Sequence, residues 1–247
     1  MTGGKVFFVD GNDGSGTNSG LNASYPTTLA NAYANCVSGR GDVIALIGKS
    51  FTVSGTLVIL KDGVSIVSLP AFDVQTGSAV GLTSSAGAIF QIQASKVRLE
   101  NLRLTMESGG GAIVVSDTGE SVSNIAIKNV EICLNHTDAD GIEIRGTMLR
   151  STIEDVKIDL GDAASADAGI DCDGSVVKCL IQRVNITGAL AVGMDIDTAT
   201  STIVRDCVVM GATKSYDVTG TSSCVVNCAS DVATAGTAPE GGFVTIA

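Results

Sequence analysis

Residues 168–174 read Ala-Gly-Ile-Asp-Cys-Asp-Gly, which places two carboxylates on alternate positions around a cysteine. Taken alone, this is as good a catalytic or metal-binding pair as it is a strand whose dry side is Ile170 and Cys172. Whether the phrase recurs decides between them. It does recur: FQIQ at 90–93, IVVS at 113–116, IEIR at 142–145, IDCD at 170–173, MDID at 194–197 and YDVT at 216–219 each carry apolar first and third residues.

A second series follows in every unit, as LENLRL at 99–104, IKNVEI at 127–132, IEDVKI at 153–158, IQRVNI at 181–186, VRDCVV at 204–209 and VVNCAS at 225–230. Neighbouring units are 21 to 29 residues apart. A unit of that length, with strands this short, closes no core alone, whereas stacked copies bury a continuous apolar column. Both halves alternate with period two, so the helical return of a leucine-rich repeat is missing, and the period is too short for a propeller blade. The expected fold is all-β, a parallel β-helix solenoid.

Stacking predicts which residues meet. Phe90, Ile113, Ile142, Ile170, Met194 and Tyr216 form one interior column, and Ile92, Val115, Ile144, Cys172, Ile196 and Val218 the next. Leu102, Val130, Val156, Val184, Cys207 and Cys228 form a third. The residues before that column, Asn101, Asn129, Asp155, Arg183, Asp206 and Asn227, fall at a bend where short polar side chains bond to the turn backbone.

Three segments follow from this. Residues 1–41 hold a strand (KVFFV, 5–9), a turn-rich stretch and a capping helix within 27–37, with Thr28 as N-cap and Leu29, Ala32, Tyr33, Cys36 and Val37 along its buried stripe. Residues 42–230 form the β-helix, with 42–48, 51–59 and 63–69 giving its first coils. Residues 231–247 are a tail or final edge strand containing FVTI at 243–246.

The order FFVDGNDGSG, TLANAYANC, GDVIALIGKSFTVSGTLVILKDGVSIV and then repeated GIxI and IxNVxI units resembles right-handed parallel β-helix proteins of the pectin lyase-like superfamily. It is most similar to those of phage tailspikes and virion surface proteins. That resemblance implies a structural virion or extracellular surface protein, such as a phage fibre, spike or capsid-decorating component. It further implies homo-oligomers, a trimer being the usual virion arrangement, with other virion proteins or a host surface glycan as partners. The alternative it implies is a polysaccharide-degrading hydrolase or lyase.

Composition narrows the partners. With 26 acidic against 15 basic residues and a net charge of −11, phosphate backbones are repelled, so nucleic acid is not expected. No apolar run reaches membrane-spanning length, and the N-terminus has no signal-peptide pattern. Seven cysteines include no CxxC, and most fall on apolar strand positions, although a pair such as Cys224 and Cys228 is close enough in sequence to oxidise. GKS at 48–50 lacks the glycine of a phosphate loop, and GRGD at 39–42 is accounted for by a turn. DGNDGSG at 10–16 matches no calcium loop, and His136, the one histidine, belongs to a turn.

The acids are the serious candidates. Outward positions gather Gln91, Val114, Glu143, Asp171, Asp195 and Asp217 in one row, and Gln93, Ser116, Arg145, Asp173, Asp197 and Thr219 in the next. For an enzyme, the candidate catalytic residues are Asp140, Glu143, Asp171 and Asp195. For calcium, they are Asp171, Asp173, Asp195 and Asp197. DADGI at 138–142 is similar to the NTDGI of polygalacturonase-like enzymes, which puts Asp140 at the position of their acid, but the GDD, GHG and RIK elements are missing. A pectate-lyase-like reading would make Arg145 the base. A third reading is a face of acids that only keeps the protein wet.

Overall fold

The computed structural model describes residues 3–11, 13–48, 51–69, 80–161 and 166–231, with the side chain of Asp197 outside that set. It is an all-β parallel solenoid. One sheet stacks Val6–Asp10, Val43–Ile47, Ser65–Ser68, Arg98–Met106, Ala126–Leu134, Thr152–Leu160, Leu180–Gln182, Ile203–Arg205 and Cys224–Val226. The second stacks Leu57–Ile59, Phe90–Ile92, Gly110–Val115, Ala139–Ile144, Ala166–Cys172, Leu190–Thr200 and Lys214–Thr221. Neighbours in both sheets run parallel, one coil apart.

The registers place like above like. Phe90 pairs with Ile113, Ile113 with Ile142, Ile142 with Ile170, Ile170 with Met194, and Met194 with Tyr216. All six are buried, and the Tyr216 hydroxyl donates to the carbonyls of Cys207 at 3.1 Å and Ala229 at 3.0 Å. The bend residues Asn101, Asn129, Asp155, Arg183, Asp206 and Asn227 all have positive φ, between 49° and 57°. Asparagine and aspartate tolerate that region better than other residues with a Cβ, which explains their frequency in the row.

Close approach of the two sheets explains the glycine of the GIxI phrase. A Cβ on Gly169 would sit 2.6 Å from the Gly193 carbonyl oxygen and 2.7 Å from Ile186 Cδ1. On Gly141 it would meet the Gly169 carbonyl at 2.4 Å. Ile158 and Ile186 fill the space that these glycines leave.

The N-terminal segment is tied in by polar contacts. The helix spans Leu29–Asn35, and the Thr28 side chain accepts from the Asn31 N–H. Lys61 Nζ donates to the carbonyls of Tyr33, Ala34 and Cys36, satisfying the helix end. Asp42 is fully buried and accepts from Lys5 N, Val37 N and the Arg40 guanidinium. Burial opposes its charge, but these donors outweigh burial and hold the carboxyl down to about 2. GRGD is thus a structural clasp, with its aspartate sequestered.

Several expectations change. Val37 is 49% exposed and does not join the helix stripe, because the helix has ended before it. The stretch 51–59 does belong to the first coils and supplies them with two strands, Phe51–Val53 and Leu57–Ile59, in different sheets, because Ser54-Gly55 turns a corner. Val6–Asp10 pairs in parallel with Val43–Ile47, so the first sheet already starts there. Residues 49–50 of GKS and FVTI at 243–246 lie outside the described residues.

Another row, unread in the sequence, runs up one interior corner. Ile125 N–H donates to Ser151 Oγ, Ser151 N–H to Cys179 Sγ, Cys179 N–H to Thr202 Oγ1, and Thr202 N–H to Ser223 Oγ. Each buried side chain thereby satisfies a backbone donor of the preceding coil. Thr202→Val keeps the shape but leaves the Cys179 N–H unpaired, which should cost about 1–3 kcal/mol. Urea unfolding checks this, and an unchanged midpoint would contradict the role of the row.

Candidate functional site

The two sheets treat charge oppositely on their outer faces. On the first, register alternates sign: Glu100 lies beside Lys128, Lys128 beside Glu154, and Glu131 beside both Arg103 and Lys157. Lys128 pairs with Glu154 at 2.7 Å, and Arg183 pairs with both Glu154 and Asp155. Lys128, foremost, then Arg183 hold the Glu154 carboxyl down to about 2.

On the second, like follows like. Glu143 is in register with Asp171, Asp171 with Asp195, and Asp195 with Asp217, giving four successive carboxyl groups one coil apart. Adjacent coils lie about 4.8 Å apart, where like charges raise one another's pKa. The row continues upwards through Val114 and Gln91.

Each acid in this row has a distinct environment. Glu143, only 8% exposed, accepts from the Arg145 guanidinium at 2.5 and 2.9 Å and from the Gly111 N–H at 3.2 Å. The same contact raises the Arg145 pKa, so Arg145 keeps its proton. The reading of Arg145 as a base is therefore corrected: a guanidinium locked on a carboxylate is a poor proton acceptor. Asp217 pairs with Lys214 from its own strand.

Asp171 is half-buried, and its carboxyl is pushed up to about 6 by burial and then by Asp173, Asp195, Glu143 and Asp167. Asp140, also 8% exposed, is pushed up to about 7, first by burial and then by Asp171, Asp167 and Glu143. The Ala168 N–H, donating to Asp140 Oδ1 at 2.9 Å, pulls the other way. Two carboxyl groups on adjacent coils are thus raised well above the ordinary aspartate value, beside Glu143 and Asp217, which pair with Arg145 and Lys214.

The four candidate acids Asp140, Glu143, Asp171 and Asp195 come together on one sheet. They are not all solvated, which corrects the expectation of a wholly wet outer face: Val114, Asp140 and Glu143 are buried. Alternation gave the direction of Glu143, Asp171 and Asp195 but not this cover. Asp173 is exposed and follows Asp171 on the same face, Asp138 is exposed in a turn, and Asp167 is exposed at the start of the strand Ala166–Cys172. Beside Asp138 and Asp167 is a cavity of about 480 Å³, lined also by Ala189, Leu190, Gly211 and Thr213. His136 Nδ1 accepts from the Asp138 N–H at 3.2 Å, a local turn contact.

Among the described residues, no three His, Cys, Asp or Glu side chains form a group able to hold a metal. The proposed calcium set of Asp171, Asp173, Asp195 and Asp197 includes a side chain outside that description. Among the described residues, no helix is long and apolar enough to cross a membrane. All seven cysteines are free thiols. Cys228 stacks on Cys207, whose thiol it contacts, so the stacked pair is Cys207 with Cys228, whereas Cys224 aligns with Ile203.

No protein-family model matches the chain, and no curated protein does. Two solved structures are similar in fold. Pectate lyase Pel9A is 12% identical with a TM-score of 0.45, and the match covers 99% of this chain and 80% of that one. A rhamnogalacturonan lyase is 13% identical with a TM-score of 0.41, covering 98% of this chain and 62% of that one. Both likenesses concern the fold.

The raised carboxyls make a stability prediction. A folded pKa above the unfolded value means that the native state binds more protons, so stability falls as pH rises from about 4, the unfolded value, to about 7. Asp140→Asn should flatten much of that decline and raise the melting temperature at pH 8. Parallel melting curves for variant and wild type across this window would refute it.

Proposed function

We propose that the protein cleaves glycosidic bonds in a polysaccharide, with the acidic row of the second sheet as its catalytic face. What carries the reading is Asp171, a half-exposed carboxyl raised to about 6 and in register between Glu143 and Asp195. A protonated acid beside a carboxylate is the pairing that glycoside cleavage uses.

Asp171 serves as the acid and Asp195 as its carboxylate partner. The glycosidic C–O bond breaks as the leaving oxygen takes the Asp171 proton and an Asp195 carboxylate oxygen bonds to the anomeric carbon; water, giving its proton back to Asp171, then displaces Asp195 and restores both groups. Adjacent coils, about 4.8 Å apart, bring the two carboxyls nearer to the narrow spacing of retaining enzymes than to the wide spacing of inverting ones. Burial foremost raises Asp171, and Asp173, Asp195, Glu143 and Asp167 add to it, with Glu143 held in place by Arg145 and the Gly111 N–H. The cavity beside Asp138 and Asp167 offers room for flanking sugars.

A second reading is a virion or extracellular surface protein, oligomeric and without turnover. It is favoured by the regularity of the stacked strands, which needs no catalytic explanation.

One experiment separates them. Reducing-end release from a panel of neutral and acidic polysaccharides should fall as pH rises through about 6, because the acid form of Asp171 is consumed. Asp171→Asn should lower kcat by about 10²–10⁴-fold, with thermal stability retained. Turnover that is undetectable throughout the panel, or unaffected by Asp171→Asn and Asp195→Asn, would leave the structural reading.

A further inference from the structure

The corner where each coil leaves the second sheet for the first carries a different chemistry. There Lys96, Asn124, Arg150, Lys178, Ser201 and Ser222 all adopt positive φ, from 47° to 59°. The N–H groups of the first five donate to carbonyls of Ser123, Leu149, Val177, Thr200 and Thr221, each on the following coil. The six residues therefore form an exposed row along the solenoid, at intervals of about 4.8 Å.

No member of the row is acidic, in a chain of net charge −11. A left-handed conformation costs lysine or arginine more than asparagine, and Asn124 shows the cheaper choice in use. Among the described residues, Arg150 and Lys178 make no ion pair, whereas Arg98, Arg103, Lys128, Lys157 and Arg183 on the neighbouring sheet all do. Arg150 and Lys178 occupy successive coils. Between them runs a groove of about 410 Å³, lined also by Ser151, Leu180, Ser201 and Arg205.

We propose that this corner groove is a binding subsite for a linear acidic glycan, whose carboxylate or sulfate groups are taken by Arg150 and Lys178. Two successive cations at the coil interval suit anionic groups repeated along a chain lying parallel to the solenoid axis. Asn124, Ser201 and Ser222 extend the row with amide and hydroxyl groups that match sugar hydroxyls. Nucleic acid fits less well: the groove has no aromatic side chain for bases to stack on, and the whole-molecule charge repels a phosphate backbone. The site is separate from the acidic row, and binding here requires no turnover there.

Calorimetric titration of the full chain with an oligogalacturonate, a sulfated galactan oligosaccharide and a neutral galactan oligosaccharide tests this at low salt. At least one acidic oligosaccharide should bind, the neutral one should bind at least about tenfold more weakly, and added salt should weaken the acidic one. The arm that binds identifies the anionic group. Arg150→Gln combined with Lys178→Gln should lose at least about tenfold in affinity, while Lys128→Gln, which alters a paired cation on the first sheet, should not. Arg150→Lys combined with Lys178→Arg keeps the charge and should retain binding, which separates charge from folding. Equal affinity for the neutral glycan, unchanged affinity in the double glutamine variant, no binding of either acidic glycan, or equally tight binding of a single-stranded DNA oligomer would each overturn the proposal.

Discussion

Parallel backbone pairing at one-coil intervals is the constraint on which everything else in this molecule depends. It sets each residue directly above its counterpart in the next unit, at a spacing of about 4.8 Å. Inside, that spacing is favourable for any apolar side chain, so Ile142 over Ile170 over Met194 needs only bulk and water exclusion. Polar groups face a stricter demand. The corner row of Ser151, Cys179, Thr202 and Ser223 meets it by giving each backbone N–H a side-chain acceptor one coil further on.

Outside, the same spacing turns charge into the decisive variable. The first sheet neutralises itself by alternating Glu100, Lys128 and Glu154 in register. The second sheet places Glu143, Asp171, Asp195 and Asp217 in succession. Burial, reinforced by mutual repulsion, raises Asp171 to about 6 and Asp140 to about 7, and the cations nearby are committed to Glu143 and Asp217. One face is arranged for stability, and the other carries a proton that it can give up.

The columns were legible in the sequence because strand side chains alternate strictly and the phrase recurs six times. The same logic gave the acidic row and its members. What alternation does not encode is depth: Glu143 and Val114 point outwards and are still covered, and the bond from the Ala168 N–H to Asp140 depends on a neighbouring coil 28 residues away. The polar corner escaped notice because its members, serine, cysteine and threonine, share hydrogen-bonding geometry rather than hydropathy. The placing of 51–59 in the first coils was legible, but not the sheet each half joins, because Phe51-Thr52-Val53 and Leu57-Val58-Ile59 have one composition and serve different sheets.

The central claim is that burial, reinforced by stacked like charges, raises two carboxyl groups of the second sheet well above the ordinary aspartate value. Carbon-detected NMR titration of the aspartate side chains measures this directly in the folded protein. The account predicts midpoints near 6 for Asp171 and near 7 for Asp140. Midpoints for both near the ordinary aspartate value of about 3.9 would contradict it.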